Sequence, residues 1–149
     1  KYFSNNGKIA IEIEYHDDII NGKIKTYDEF GNIVMDATYS NSNLTGEVTT
    51  YYSNGMPQRR SQYKDGKQCG TSITYDTFGD ISIESMWKDG KQTGPELIYY
   101  PKSIGGNIYS RTEYVNGERH GMHIKYAQDG EVLSRQSESD GMVQRKVPR

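Results

Sequence analysis

The chain has 149 residues, enough for one domain, and only 33% of them are hydrophobic, with a mean hydropathy of −0.89. These values exclude a thick apolar core, but 13 Tyr, 3 Phe and a net charge of −2 also exclude the composition of a disordered chain. Basic and acidic residues are nearly balanced in each half, so the basic stripe of nucleic-acid binders is absent. The sequence also contains no run of 18 apolar residues, the length that a membrane-spanning helix needs.

The first segment with a regular pattern is residues 9–15. Apolar residues occupy every second position of this segment, namely Ile9, Ile11, Ile13 and Tyr15. A period of two residues predicts a β-strand with one partly buried face. Because no segment of the chain shows helical periodicity, we expect an all-β protein.

Glycines show that this strand belongs to a repeat. One series consists of Gly22, Gly46, Gly70 and Gly94, each 24 residues apart, and Gly121 after 27. A second series has the same spacing and comprises Gly7, Gly31, Gly55, Gly79, Gly106 and Gly130. Both series contain one three-residue insertion, which falls in residues 101–106 and is expected to lengthen a turn without breaking the sheet.

Aromatic and aliphatic residues follow the same period. One column comprises Tyr15, Tyr39, Tyr63, Trp87 and Tyr114, and a second comprises Tyr27, Tyr51, Tyr75, Tyr99 and Tyr126. A third comprises Ile9, Ile33, Pro57, Ile81, Ile108 and Val132. We interpret these columns as ladders that pack along one face of a sheet. A tyrosine-lined recognition surface is the alternative interpretation.

Glycine-containing turns divide each repeat. The segments 64–67, 88–91 and 115–118 hold Asp-Gly or Asn-Gly, which tolerate the positive φ of tight hairpins. Each repeat is therefore predicted to be one hairpin of two short strands, and a second glycine-rich break joins it to the next.

The repeats define one domain over residues 1–149. The last period loses the pattern, which predicts a degenerate cap, and its basic residues Arg145, Lys146 and Arg149 are expected to form a solvated tail. The repeat boundaries are about 7–30, 31–54, 55–78, 79–105 and 106–129, followed by the cap at 130–149.

A charged column also follows the period. It comprises Glu12, Asp36, Arg60, Glu84, Arg111 and Arg135. These residues have the other parity within their strands, so we expect them on the face opposite the tyrosines. Two interpretations stay open: a solvated outer face, or an electrostatic footprint for a partner protein.

Catalytic and metal-binding patterns are missing from the sequence. Of the three histidines, His16, His120 and His123, the last two are close in the sequence, but a metal site needs three or four ligands. The carboxylates do not form a catalytic pair. The glycines precede no helix that could bind phosphate. We expect no catalytic residue, no metal and no cofactor.

One segment resembles a known family. Residues 114–121 resemble the core of a MORN repeat, and residues 63–70 and 87–94 are looser copies. The 24-residue spacing and the segment Tyr51-Tyr52-Ser53-Asn54-Gly55 are similar to the bacterial MORN-repeat variant of the YwqK-like antitoxin family. The resemblance covers about residues 2–132. Gly121-Met122-His123 stands where eukaryotic MORN repeats have Gly-x-Gly, which disfavours lipid contact.

Together, the pattern and the resemblance predict one elongated, single-layer antiparallel meander of about 11 strands in about five repeats. The resemblance implies a non-enzymatic immunity protein or antitoxin that neutralises a partner toxin by binding it. The alternative is a structural or membrane-associated MORN scaffold. Residue 1 is Lys rather than Met, so we expect a trimmed chain, placed in the bacterial cell envelope if a leader was removed and otherwise in the cytoplasm.

Overall fold

The computed structural model describes residues 1–139 and 142–145, which form one antiparallel sheet. Its strands are β1 (Tyr2–Phe3), β2 (Ile9–His16), β3 (Ile19–Tyr27), β4 (Ile33–Ser40), β5 (Asn43–Tyr51), β6 (Pro57–Lys64), β7 (Lys67–Tyr75), β8 (Ile81–Lys88), β9 (Lys91–Gln92), β10 (Gly94–Tyr99), β11 (Ile108–Val115), β12 (Glu118–Tyr126), β13 (Val132–Ser139) and β14 (Met142–Arg145). Consecutive strands pair throughout, except that β8 pairs with both β9 and β10. The predicted all-β hairpin meander is confirmed.

The sheet has more strands than predicted. It contains 14 strands rather than about 11, because β1 and β14 extend its two ends and one strand position is split into β9 and β10 at Thr93. Strands β13 and β14 also continue the sheet into the predicted cap. Of the predicted basic tail, Arg145 ends β14, whereas Lys146 and Arg149 lie outside the described residues.

Tight turns lie along one side of the sheet. Asp65 and Gly66 both have positive φ, 49° and 76°, as a type I′ turn requires, so the predicted hairpins are confirmed. The turn amide also reaches the preceding hairpin, because Gly66 N donates to Leu44 O at 2.9 Å and Gly90 N donates to Gln68 O at 2.9 Å. The tight turns at residues 41–42, 65–66, 89–90 and 116–117 are thus each held by the repeat before them.

Wider turns lie along the opposite side of the sheet. In the turn after β3, the Asp28 carboxylate accepts from Phe30 N and Asn32 N. Neighbouring wide turns are joined by asparagine side chains, as Asn54 Nδ2 donates to Thr77 O at 3.0 Å. Both sides of the sheet are therefore fastened from repeat to repeat.

The glycine series that begins at Gly22 lies inside strands and not in the glycine-rich breaks that separate them. Gly22, Gly46 and Gly70 lie inside β3, β5 and β7, where their positive φ accompanies shifts in the pairing register. A glycine can adopt positive φ at a β-bulge without steric strain, so the strand continues through it. Four glycines of the series lie across from an aromatic residue of the next strand: Gly22 from Tyr39, Gly46 from Tyr63, Gly70 from Trp87 and Gly94 from Tyr114.

The second tyrosine column and the aliphatic column are cross-strand partners. The pairs are Tyr27 with Ile33, Tyr51 with Pro57, Tyr75 with Ile81, Tyr99 with Ile108 and Tyr126 with Val132. Paired residues project from the same face and contact each other. The predicted ladder is therefore present, and it runs across the sheet beside the wide turns.

Small residues are the most deeply buried. Ala37 is 1% exposed and Ser72 is 2% exposed, and Ile24 and Ala37 are the buried hydrophobic residues of the described chain. The buried hydroxyls are satisfied, since Ser61 Oγ and Ser72 Oγ lie 2.8 Å apart and Arg59 Nε donates to Ser72 Oγ at 3.0 Å. This thin core agrees with the low hydrophobic fraction of the sequence.

The insertion forms a single 3-10 turn, Lys102–Ile104, between β10 and β11. Tyr100 N donates to Asn107 O at 2.9 Å and closes the loop at its base. Strand β10 pairs with β11 from Gly94 to Tyr99, so the sheet continues past the insertion, as predicted.

Truncation of a ladder tyrosine should destabilise the sheet. We expect Tyr75→Ala to lower the free energy of unfolding by about 2 kcal/mol, because a large, half-buried side chain is removed from its contact with Ile81. Lys88→Ala is the control, since this exposed residue beside a tight turn should change stability by less than about 0.5 kcal/mol. Chemical denaturation measures both variants, and equal small effects would contradict a structural ladder.

Deletion of Lys102–Ile104 should leave the fold intact. The shortened loop has the five-residue spacing of the wide turn at residues 52–56, and loop closure depends only weakly on length. Circular dichroism should show unchanged β-structure. Gross loss of the β-sheet signal would show that the insertion is required for folding.

Candidate protein-binding face

The pairing register brings the charged column into one row. Between its members lie the residues of the intervening strands, so that Glu12 pairs with Lys25, Lys25 with Asp36 and Asp36 with Thr49. The row continues in the same way through Arg60, Ile73, Glu84, Leu97, Arg111, Ile124 and Arg135. Directly paired residues project from the same face of a sheet. We call the face that carries this row the charged face.

The charged face also carries the Tyr27 column, which contradicts the predicted separation of charges from tyrosines. Tyr27 Oη donates to Glu12 Oε2 at 2.7 Å, and Tyr99 Oη donates to Glu84 Oε2 at 3.2 Å. Parity within one strand could not predict this, because each tyrosine meets a charge from a neighbouring strand. The register between strands decides which residues share a face.

The Tyr15 column does lie on the opposite face, as predicted. Trp87 belongs to this column and follows Glu84 by three residues on the same strand, so it projects to the other side. Its Nε1 donates to the buried Ser85 Oγ at 3.0 Å. The two aromatic columns therefore cover different faces, so the prediction that the columns pack along one face is wrong for the Tyr15 column, and only the second column meets the charged column.

The tyrosines of the charged face contact both carboxylates and guanidinium groups. The hydroxyl of Tyr99 donates to a carboxylate, whereas the ring of Tyr75 lies 5.9 Å from the guanidinium carbon of Arg60. A phenol can do both, because its O–H is a hydrogen-bond donor and its ring face is electron-rich. The same backbone position can therefore carry Glu or Arg without a change of fold.

Acidic and basic members of the column differ in exposure. Glu12, Asp36 and Glu84 are half-buried, whereas Arg60, Arg111 and Arg135 are exposed. Arg111 Nη2 lies 2.6 Å from Glu113 Oε1, so part of its charge is balanced locally. Arginines therefore form the outermost charges of the column, with carboxylates set back between the tyrosines.

Proton affinities on this face reflect the tyrosine–carboxylate contacts. The pKa of Glu12 is lowered by its bond to the Lys1 ammonium and then by the hydrogen bond from Tyr27. The same contact raises the pKa of Tyr27. Burial, followed by the negative charge of Glu84, raises the pKa of Tyr99. Glu12 is thus stabilised as an anion, and Tyr27 and Tyr99 keep their protons.

The inserted loop creates an open cavity on the charged face, which sequence reasoning missed. The cavity has a volume of about 540 Å³. It is lined by Tyr75, Ile81, Glu84 and Tyr99 from the strands, by Gly79 and Asp80 from the turn before β8, and by Tyr100, Lys102, Gly105 and Gly106 from the loop after β10. Lys102 Nζ lies 3.4 Å from Asp80 Oδ1 across the rim. The three-residue insertion was visible in the sequence, but its position over the tyrosine ladder was not.

A second unpredicted surface lies at the tips of the wide turns. Phe30 is 73% exposed and Phe78 is 85% exposed, and Met56 and Ile104 are exposed on the same side of the sheet. In the sequence these positions indicated only turns. Exposed apolar residues mark an interaction site only where they form a contiguous patch.

The described residues contain neither a cluster of metal-ligating side chains nor a helix that could span a membrane. Within residues 1–139 and 142–145, no three metal-ligating side chains come together, and His123 Nδ1 instead lies 2.8 Å from Thr112 Oγ1. In the same part of the chain, no helix has the length and apolar character needed to cross a membrane.

Comparison with known families agrees with the repeat pattern. Residues 1–17, 20–41 and 44–65 each match the family described as MORN repeat variant. The matched segments include Glu12, Asp36 and Arg60, and the same period continues beyond them through Glu84, Arg111 and Arg135. No curated protein matches the chain. In its first 65 residues the chain is thus similar, three times in succession, to the MORN repeat variant.

Proposed function

We propose that the protein is a non-enzymatic binding protein whose charged face docks onto a partner protein. The observation that carries this proposal is the continuous row in which ionised side chains meet half-buried tyrosines on one face. At about 4.8 Å per strand, the row from Glu12 to Arg135 spans roughly 50 Å. A rigid surface of that length is large enough for a standard protein interface.

The composition of the charged face suits a protein partner. Tyrosine and arginine are enriched where proteins bind each other, because both supply large contact areas together with directional polar groups. Arg60 and Arg135 are exposed and would meet a partner first. The mixture of charges favours a partner with a complementary pattern and speeds its association.

The finer proposal is that the partner is a toxin and that this protein is its immunity protein. The resemblance to the YwqK-like antitoxin family and the three matches to the MORN repeat variant support it. Neutralisation by occlusion requires a complementary surface rather than a catalytic group. The extended charged face meets that requirement.

Charge reversal on the charged face should weaken the complex. Arg135→Glu combined with Arg111→Glu suits this test better than a change at Arg60, whose guanidinium packs on Tyr75. Both arginines are exposed, and the reversal of Arg111 disrupts only a surface ion pair with Glu113, so stability should change by less than about 1 kcal/mol. The association rate should fall by roughly tenfold and lose part of its salt dependence.

The partner is first captured from the source cell and identified by mass spectrometry, and the variants are then titrated with it at low and high salt. Lys88→Glu is the control, because this exposed residue lies beside a tight turn and outside the charged column. Unchanged affinity of the double variant at both salt concentrations would exclude the charged face as the interface.

The exposed turn tips favour a second candidate function, a membrane-associated scaffold. Phe30 and Phe78 could enter a lipid surface from one side of the sheet. The acidic Asp28 and Asp76 in the same turns and the net charge of −2 oppose contact with anionic lipid. The protein-binding proposal is therefore the one we favour.

Vesicle flotation separates the two functions. We expect the protein to remain unbound to both neutral and anionic vesicles, because acidic side chains accompany the exposed phenylalanines. The double variant Phe30→Ser/Phe78→Ser is the matched control. Flotation of the unmodified protein that is lost in this variant would replace the protein-binding proposal with the scaffold.

A further inference from the structure

Two positions on the charged face have the same side-chain arrangement. Glu12 with Tyr27 and Glu84 with Tyr99 are separated by three 24-residue periods. In both, the tyrosine hydroxyl donates to carboxylate Oε2, at 2.7 Å and 3.2 Å. They are therefore two copies of one structural unit, and differences between them can be compared directly.

The two copies differ in how the carboxylate is neutralised. Lys1 Nζ lies 2.8 Å from the second oxygen of Glu12, Oε1. Among the described residues, Glu84 has no ammonium or guanidinium within ion-pair distance. The first copy shows that this unit binds a basic side chain, and the second copy has the same carboxylate without one.

The cations nearest to Glu84 along the face have other partners. Lys102 lines the same cavity, but its Nζ pairs with Asp80 Oδ1 at 3.4 Å. Arg60 packs on the Tyr75 ring, and Arg111 binds Glu113. The carboxylate of Glu84 is therefore balanced by none of these three side chains.

The walls of the cavity suit a guanidinium. Tyr75 and Tyr99 line it beside Glu84, and Ile81 adds an apolar surface. The contact between Arg60 and Tyr75 shows that a tyrosine of this ladder already accepts a guanidinium, with its carbon 5.9 Å from the ring centroid. Arginine combines a planar cation for carboxylate and ring with an apolar stem, so it fits this lining better than lysine does.

We propose that this cavity receives an arginine side chain of the partner protein. The guanidinium binds the Glu84 carboxylate, its plane lies against the tyrosine rings, and its methylene stem contacts Ile81. The inserted loop at residues 102–106 forms the remaining wall, so the site exists in one repeat only within the described residues. The presence of a protein partner rests on the proposed function, whereas the preference of the cavity for a guanidinium does not.

The preference is tested on the isolated chain by NMR titration with N-acetylarginine methylamide. The uncharged isostere N-acetylcitrulline methylamide is the matched probe. We expect arginine to shift the amide resonances of Tyr75, Ile81, Glu84 and Tyr99, and citrulline to bind at least about tenfold more weakly, because a charge-assisted hydrogen bond is lost. Equal binding of the two probes, or shifts confined to other repeats, would overturn the inference.

Two isosteric variants show which carboxylate the arginine probe binds. Glu84→Gln should weaken arginine binding by about tenfold while keeping an acceptor for the Tyr99 hydroxyl. Glu12→Gln should leave the affinity unchanged, because it alters the copy that already binds Lys1. An equal effect of both variants would overturn the assignment to Glu84. If Glu84→Gln fails to fold, the comparison of arginine with citrulline on the unmodified chain decides alone.

Failure of this inference is distinguishable from failure of the proposed function. The probe titration requires no partner, so a negative result removes the arginine site and leaves the charge-reversal test unaffected. Once the partner is in hand, Glu84→Gln should weaken the complex by about tenfold. A bound probe together with an unchanged complex would show that the cavity prefers guanidinium but does not hold the partner's arginine.

Discussion

A single-layer sheet can bury a side chain only with neighbours from the same sheet, and the rest of this structure depends on that constraint. Small residues become fully covered, as Ala37 and Ser72 show with exposures of 1% and 2%. Large residues such as Tyr75 and Tyr99 remain half-buried however well they pack. The same property that limits the core therefore supplies an aromatic surface that can contact another protein.

Bulges and turns convert this sheet from a set of hairpins into one continuous body. Glycines with positive φ allow each strand to continue past a register shift. Hydrogen bonds from Gly66 N to Leu44 O and from Asn54 Nδ2 to Thr77 O join successive repeats on both sides. Tyr52, which follows the ladder residue Tyr51, also joins two repeats, since its Oη donates to Tyr75 O at 2.7 Å. Each repeat is thus bonded to its neighbours, the arrangement from which repeat proteins gain much of their stability.

Tyrosine links this architecture to the proposed binding function. Its ring packs in the ladder, its hydroxyl holds the carboxylate of Glu12 or Glu84, and its π face accepts the guanidinium of Arg60. The sign of the charge at each repeat can therefore change while the backbone stays the same. A partner would be selected by the order of charges along the row, and the cavity at the insertion adds one position of greater chemical specificity.

The sequence by itself determined the period, the all-β meander and the tight turns, because these depend on local residue types at fixed spacing. Only the tertiary structure decided that Gly22 lies inside a strand and that the charged column shares a face with the Tyr27 column. Periodicity lists which residues recur, but the register between strands, shifted by bulges, sets which of them meet. The cavity beside Glu84 was likewise beyond the sequence, because its walls come from β7, β8, β10 and the inserted loop, and only folding brings them together.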